Sequence, residues 1–327
     1  MVGMVADQGS LPTQKHWTVA AEQAGIRLDN FVGQILPHLS RREVEKAIDG
    51  KLVLVNDRRS RKGQRLAAGE SVTFVGPAQW LSERPLPNLQ LPVAIVYEDS
   101  HLLVVDKPAG IDTHGFSGRD RQTLANFLAA RRPEILAVGK SNWEPGLVHR
   151  LDRETSGLVL IAKTQSSFEH LRIQLRDRQI RKTYWGLVWG ITVAEGSVSY
   201  SLAHDAQDRR RMRAVIGPRA RTGTQKSWQA VTRFHKVNGT QRLSLLEIEM
   251  ETGVTHQIRV HLATIGHPLV GDRLYGSEDR ETFGLRRHFL HAHRLELQHP
   301  ETGRAVKFET GWPDELREVV RRLRLEC

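Results

Sequence analysis

The stretch HRLDRETSGLVLIAK, residues 149–163, places one carboxylate, Asp152, between Arg150 and Arg153 and just ahead of a continuous apolar run. A neighbouring guanidinium favours the ionised form of a carboxylic acid. An ionised carboxylate can act as a nucleophile or can stabilise an oxocarbenium-like centre on a sugar. The same spacing suits a carboxylate that only anchors a turn through a salt bridge, and spacing leaves both readings open. Glu154 lies two residues further on. Two-carboxylate glycoside hydrolysis needs both acids to converge on one bond. Residues i and i+2 share a face in a strand but not in a helix, and no other residue marks a second acid.

The histidines raise metal chemistry. His256 and His261 fall on one expected helix, five residues apart, which is about 500° of rotation and does not put both on one face. The HExxH spacing is absent, and His291 and His293 alternate along an expected strand without a companion ligand. Core or hydrogen-bonding histidines are the simpler reading, so no metal is expected. There is no GxxxxGK(S/T) loop and no GxGxxG after a strand, so neither a nucleoside triphosphate nor a dinucleotide is indicated. The single cysteine is Cys327, the last residue. Disulfides within the chain and cysteine-built zinc sites are excluded, and a reducing cytoplasm fits.

The elements that must position Asp152 can be read from periodicity. Residues 1–17 are polar and irregular and are expected to form a flexible tail. In RLDNFVGQIL, Leu28, Phe31, Val32, Ile35 and Leu36 fall at helical spacing, and Pro37 stops the helix. Ser40 and Glu43 make a capping box for a second helix, SRREVEKAIDG, with Gly50 at its end. LVLVN and SVTFV read as short strands around the basic turn DRRSRKGQ. Residues 18–77 thus form a small α+β unit, and the proline-rich stretch 78–91 reads as a linker. From residue 92 to 327 strands dominate without regular strand–helix alternation, which predicts an α+β domain. Ser166 and Glu169 stand at capping-box spacing for a helix over SSFEHLRIQLRD. THQIRVHLATIG is expected to be an amphipathic helix capped by Thr255 and ended by Gly266.

The chain of 327 residues carries 48 Lys and Arg against 37 Asp and Glu, a net charge of +11. That surplus points to a polyanion, most commonly nucleic acid. No apolar run approaches the ~20 residues of a membrane span, and the N-terminus lacks the pattern of a secretory signal. Arg41, Arg42 and Lys46 lie off the apolar stripe of the second helix, beside the basic turn 58–65, where they could grip phosphates. Glu43, Glu45 and Asp49 interleave with them, so a solvated face is the plainer alternative. A second cluster, Arg209, Arg210, Arg211, Arg213, Arg219, Arg221 and Lys226, contains no acid, and GPRARTG within it reads as a loop.

Taken together, these blocks resemble a known family. HRLDRETSGLVLIAK resembles the signature of the RluA/RluC/RluD-type pseudouridine synthases. VVDKPAG (104–110), RKTYWGLVWG (181–190), THQIRVHLATIGHPLVGDRLYG (255–276) and LHAHRLELQHP (290–300) are similar to its other blocks, in the same order. The resemblance covers residues 92–320, and the unit at 18–77 resembles the small RNA-binding domain of the ribosomal-protein S-four type. It implies a pseudouridine synthase fold with a central mixed, largely antiparallel sheet. It implies isomerisation of uridine to pseudouridine in RNA with no cofactor. Asp152 corresponds to the catalytic aspartate, Tyr184 to the tyrosine that packs on uracil, and Arg259 to the arginine that pairs with the aspartate. Arg150 corresponds to an arginine implicated in holding the place of the flipped-out nucleotide. Val254 stands where the family usually has Arg, which puts in doubt whatever contact that arginine makes. The N-terminal domain leans towards large-subunit ribosomal RNA, with transfer RNA as the alternative. A monomer acting on RNA and not DNA is expected. The competing reading is a non-catalytic RNA-binding or ribosome-assembly factor that keeps the fold.

Overall fold

The apolar stripe Leu28, Phe31, Val32 and Leu36 is buried, as its helical spacing requires. A computed structural model describes residues 13–217, 226–277 and 279–325 and divides the chain into two units. The first holds the chain up to Leu89 together with His114–Arg131 and Ser141–Trp143. Its elements are β1 (Thr13–Thr18), α1 (Leu28–Ile35), α2 (Arg41–Asp49), β2 (Val53–Val55), β3 (Arg58–Arg59), β4 (Ser71–Gly76) and α3 (Leu124–Arg131). The strands form one sheet in the order β1-β4-β2-β3. Helices α1 and α2 share a core with this sheet through Phe31, Val44, Ile48, Val53, Val72 and Phe74.

The capping box of α2 is present: Ser40 N donates to Glu43 Oε2 at 2.7 Å, and Glu43 N donates to Ser40 Oγ at 3.4 Å. Gly50 ends α2 with an ordinary φ of −73°, and the left-handed residue is Lys51. Asn56 and Asp57, both at positive φ, supply the two-residue turn between β2 and β3. Strand β1 pairs with β4 from Thr13 onward, so the end of the stretch expected to be a tail is in a sheet. Residues 1–12 lie outside the described residues. The stretch expected to be a linker joins the first unit as far as Leu89. Side-chain contacts explain why: Arg119 lies 4.1 Å over the Trp80 ring and pairs with Glu43, and Asn126 Nδ2 donates to Leu86 O at 2.7 Å.

The second unit holds Gln90–Thr113, Arg132–Lys140 and Glu144–Cys327. It contains β5 (Ala94–Glu98), β6 (Leu102–Lys107), β7 (Ser156–Ala162), α4 (Gln165–Arg176), β8 (Arg181–Trp189), β9 (Glu195–Val198), β10 (Ser201–His204), β11 (Met212–Val215) and β12 (Ser227–Trp228). These are followed by β13 (Thr232–Gly239), β14 (Leu243–Met250), α5 (Gln257–Thr264), β15 (Leu290–Gln298), β16 (Ala305–Glu309) and α6 (Asp314–Arg322). Nine strands form one sheet, β5-β6-β7-β15-β8-β14-β13-β9, with β16 on β15. The pair β7–β15 is parallel, and the other described pairs are antiparallel. This is the mixed, largely antiparallel α+β sheet that was expected. A small sheet, β11-β10-β12, stands apart.

Two helix starts differ from expectation. Helix α4 is capped by Thr164, whose extended backbone lets Oγ1 accept from Ser167 N at 3.1 Å, and not by Ser166. Helix α5 begins after His256, which is left-handed at φ 56°, and not after Thr255. Its residues Gln257 through Leu262 are all buried, so α5 is an enclosed helix and not an amphipathic one. It packs against β11 and β13. Among the described residues no helix is long and apolar enough to cross a membrane.

Candidate active site

Asp152 sits in a short loop that enters β7, and its neighbours are fixed one by one. Leu151 O accepts from Thr113 Oγ1 at 2.7 Å, and Leu151 N donates back to that hydroxyl at 3.1 Å. Arg153 O accepts from Gly110 N at 2.9 Å and from Lys107 Nζ at 3.2 Å. Glu154 O accepts from Arg287 Nη1 at 3.1 Å, and Thr155 Oγ1 meets His288 Nε2 at 2.8 Å. The wholly buried strand β7 follows. At its start Gly157 has φ 117°, and a Cβ there would meet Ala292 O at 2.2 Å. Only glycine lets β7 approach β15 so closely. The backbone around Asp152 is thereby held while its carboxylate faces a cleft, as a reacting group requires.

The cation that meets Asp152 comes from α5. Arg259 Nη1 donates to Asp152 Oδ2 at 3.2 Å. Its other donors grip Asp272 in a fork, Nε to Oδ2 at 2.7 Å and Nη2 to Oδ1 at 2.9 Å. Asp272 Oδ1 also accepts from Leu274 N at 2.9 Å and Tyr275 N at 3.1 Å. Burial opposes the charge of Asp272, but Arg259 more than offsets this and holds its pKa below the ordinary value. Burial likewise works against Arg259, and Asp272 with Asp152 raises its pKa above the ordinary value. The result is a buried acid–guanidinium–acid chain with only the Asp152 end open to the cleft.

Tyr184, near the middle of β8, is buried on the same cleft. Burial, with the nearby Asp152 charge, pushes its hydroxyl well above the usual range, and no described residue hydrogen-bonds it. The cleft is lined by Arg150, Leu151, Asp152, Tyr184, Val254 and Arg259, among others, and encloses about 40 Å³. His256 Nε2 lies 3.8 Å from Asp152 Oδ2, and burial lowers its pKa. Its Nδ1 meets Tyr275 Oη at 2.8 Å, and the same hydroxyl accepts from Met212 N at 2.8 Å. Val254 packs beside the apolar cluster of Leu202, Met212, Ala230 and Val260.

The residues named from sequence divide clearly. Asp152, Tyr184, Arg259 and Arg150 come together at one cleft. Glu154 lines a different cavity and does not converge with Asp152. Arg153 turns to Asp112 at 3.0 Å, so the cation beside Asp152 in the sequence is not the one that serves it. Arg41, Arg42 and Lys46 are exposed on α2 of the first unit. Arg209, Arg211 and Arg213 are exposed on the β10–β11 hairpin, with the Arg211 guanidinium 5.4 Å from the Tyr275 ring centre. Arg219 and Arg221, with most of GPRARTG, lie outside the described residues. His261 is a core residue bonded to Thr232 Oγ1 and Tyr200 O, both at 2.9 Å. Among the described residues no cluster of His, Cys, Asp or Glu is arranged to hold a metal.

Sequence reasoning gave no role to Asp272 or Lys107, and read His256 only as a core or hydrogen-bonding histidine, which its bond to Tyr275 fits. Asp272 carried a signal, since it is the only acid between Glu251 and Glu278. Lys107 is wholly buried and donates to three carbonyls, those of Pro108, Ile111 and Arg153, and burial pushes its ammonium down to about 7.

Residues 101–264 match the RNA pseudouridylate synthase family, and residues 26–72 match the S4 domain. The ribosomal large subunit pseudouridine synthase D of Nitrosomonas europaea is 35% identical over 313 residues, covering 94% of this chain and 87% of that one. An RNA pseudouridine synthase of Chloroflexus aurantiacus is 39% identical over 305 residues, covering 93% and 92%. Among solved structures, human RNA pseudouridylate synthase domain containing 4 superposes with a TM-score of 0.54 at 25% identity, over 71% of this chain and 93% of that one. The chain therefore belongs to the RNA pseudouridylate synthase family and carries an S4 domain near its N-terminus.

Proposed function

We propose that this chain isomerises uridine to pseudouridine in large-subunit ribosomal RNA, with Asp152 as the catalytic carboxylate. The observation that carries the reading is the placement of one carboxylate on a cross-linked loop, paired with Arg259 and facing Tyr184 in a common cleft. The reaction breaks the N1–C1′ bond of uridine and forms a C5–C1′ bond. C5 loses a proton and N1 gains one, so the balance needs no oxidant, reductant or added group. Asp152 either attacks the sugar or assists cleavage of the glycosidic bond, and both roles need the carboxylate where it sits. Arg259, anchored by Asp272, fixes the orientation of that carboxylate. Tyr184 packs against the uracil ring, and its hydroxyl is placed to handle the ring proton.

A uridine must leave its stack before reaching the cleft. On entry the base meets the side chains that line the cleft, Arg150 among them. Arg150 then holds the vacated place in the RNA. Arg209, Arg211 and Arg213 on the hairpin, and Arg41, Arg42 and Lys46 on α2, supply phosphate contacts. The names of the relatives support ribosomal over transfer RNA, and the chain is proposed to act as a monomer in the cytoplasm.

The test compares cells with and without this gene by carbodiimide primer-extension mapping of total RNA. Sites that vanish in its absence, return with the wild-type chain and stay absent with Asp152→Ala identify the substrates. RNA binding by Asp152→Ala should persist. Equal pseudouridine with wild type and Asp152→Ala would sink the assignment and leave a non-catalytic RNA-binding factor.

A further inference from the structure

His256 lines the Asp152 cleft with one ring nitrogen engaged and the other open. Its backbone is left-handed at φ 56°, one residue ahead of α5. Nδ1 meets Tyr275 Oη at 2.8 Å. Tyr275 is itself fixed. Two guanidiniums lie over its ring, Arg259 at 5.1 Å and Arg211 at 5.4 Å from the centre, and Oη accepts from Met212 N at 2.8 Å.

These contacts decide where the imidazole proton sits. The Met212 N–H occupies one lone pair of Oη, so the hydroxyl hydrogen is directed to Nδ1, the remaining partner among the described residues. Nδ1 is then the acceptor, and a neutral ring carries its hydrogen on Nε2. Burial lowers the pKa of His256, which keeps the ring neutral near neutrality. Nε2 lies 3.8 Å from Asp152 Oδ2, too far for a hydrogen bond, and Arg259 Nη1 already serves that oxygen at 3.2 Å. A fixed N–H donor therefore stands beside the carboxylate without an acceptor among the described residues.

We infer that His256 Nε2–H donates to the 2′-hydroxyl oxygen of the target nucleotide and so selects ribose over deoxyribose. The inference rests on the proposed isomerisation by Asp152. In either of its roles Asp152 works at the sugar or its glycosidic bond, so a donor 3.8 Å from its carboxylate lies close to C1′. Three acceptors surround C1′: O4′, uracil O2 and O2′. O4′ shares the positive charge of an oxocarbenium-like centre, and a donor there would oppose the reaction. Uracil O2 leaves its place when the ring turns to present C5, whereas His256 is held by Tyr275. O2′ stays with the sugar, so a hydrogen bond to it persists through bond breaking and bond forming. The 2′-hydroxyl is also the group by which a protein tells RNA from DNA.

The test uses the full chain and a ribosomal RNA fragment on which the wild type forms pseudouridine, made with uridine or with 2′-deoxyuridine at the target. The ratio of kcat/KM on the two gives the penalty for the missing hydroxyl. In His256→Asn the amide falls in the place of Nδ1, suits the left-handed backbone and keeps the Tyr275 contact, but leaves no donor in the cleft. In His256→Gln the amide falls in the place of Nε2 and restores the donor. Removing the hydroxyl also alters the reactivity of the sugar. That effect is common to all three proteins, so the difference in penalty isolates the hydrogen bond. The penalty should be about 3- to 10-fold smaller in His256→Asn than in the wild type, and His256→Gln should recover most of the difference. An equal penalty in wild type and His256→Asn, both folded by thermal melting, would overturn the inference. A penalty lowered alike in both variants would also overturn it, by tracing the effect to the ring and not to its donor. If the wild type forms no pseudouridine on any all-ribose fragment, the proposed function fails, and that failure is read before any variant is compared.

Discussion

At the scale of single residues, the informative group is the one that motif reading passed over. Asp152, Tyr184 and Arg259 stand inside recognisable strings, so they were legible as a set. Asp272 stands inside the block 255–276 as well, but its role was not read there, because its partner is fixed by how α5 and the loop after it pack, which no local spacing encodes. Its side chain is fully buried and holds the Arg259 fork. Asp272→Asn leaves a buried guanidinium short of a counter-charge, which costs about 3–5 kcal/mol. Its pKa is held below the ordinary value, so its stabilising contribution is present above about 3.9 and is lost as pH falls through the lower folded value. Urea unfolding from pH 3 to 7 should show the gap between wild type and Asp272→Asn at full size near neutrality and shrinking below about pH 4. With Arg259 free to tilt, kcat should fall ~100-fold while KM changes little. Tyr184 gives the complementary case. Its hydroxyl has no described partner, so Tyr184→Phe should leave the melting temperature unchanged or slightly raised. If the hydroxyl handles the ring proton, turnover falls ~100-fold or more. An unchanged rate would confine Tyr184 to packing.

At the scale of elements, periodicity located most strands and helices, and failed where tertiary enclosure overrides local pattern. GLVLIAK reads as a buried strand because every residue of β7 is in fact buried. The helix over 257–264 was expected to show a polar face, yet α5 carries Gln257, Arg259 and His261 inward, each satisfied by a specific partner. Polar residues that are buried and bonded look like a solvent face in one dimension. The starts of α4 and α5 shifted for a related reason: the entering backbone decides where a helix begins, and Thr164 caps α4 through its side chain while α5 begins after the left-handed His256 with no side-chain cap. The crossing of β7 and β15 is an element-level constraint that does depend on one residue. Gly157→Ala introduces a Cβ at 2.2 Å from Ala292 O in a left-handed conformation. Strain of about 1–2 kcal/mol from the backbone is then joined by separation of the only described parallel strand pair. We expect a lowered melting temperature of the second unit and loss of activity out of proportion to it, since the Asp152 loop enters the sheet at this point. A circular-dichroism melt beside a turnover assay checks both, and a wild-type melting curve would contradict the account.

At the scale of the whole molecule, the net charge of +11 is distributed over both units, and this decides how RNA binding should respond to salt. The sequence placed one basic cluster on each side of the stretch at 78–91. It could not show that His114–Arg131 returns to the first unit, because that excursion depends on Arg119 meeting Trp80 and Glu43, and Asn126 meeting Leu86. Each cluster is exposed in its own unit. Arg42 and Lys46 have no ion-pair partner among the described residues, whereas Arg41 lies 3.6 Å from Glu45. Each phosphate neutralised contributes about 0.7 to 0.9 to the slope of log affinity on log salt. Replacing Arg41, Arg42 and Lys46 by Gln should therefore reduce the slope by about 2, or nearer 3 if Arg41 gives up Glu45 for RNA. Replacing Arg209, Arg211 and Arg213 by Gln should reduce it by about 2 to 3. If both units grip the same RNA at separate phosphates, the two reductions add in the combined variant. Coupling between them would appear as a combined loss smaller than the sum, because a unit that has released the RNA can no longer report on its partner's contacts. Filter-binding isotherms between ~50 and ~200 mM salt, the range over which such contacts change affinity by orders of magnitude, distinguish these outcomes. A slope unaffected by the α2 substitutions would remove the S4 domain from the phosphate grip and leave its basic face to the solvent.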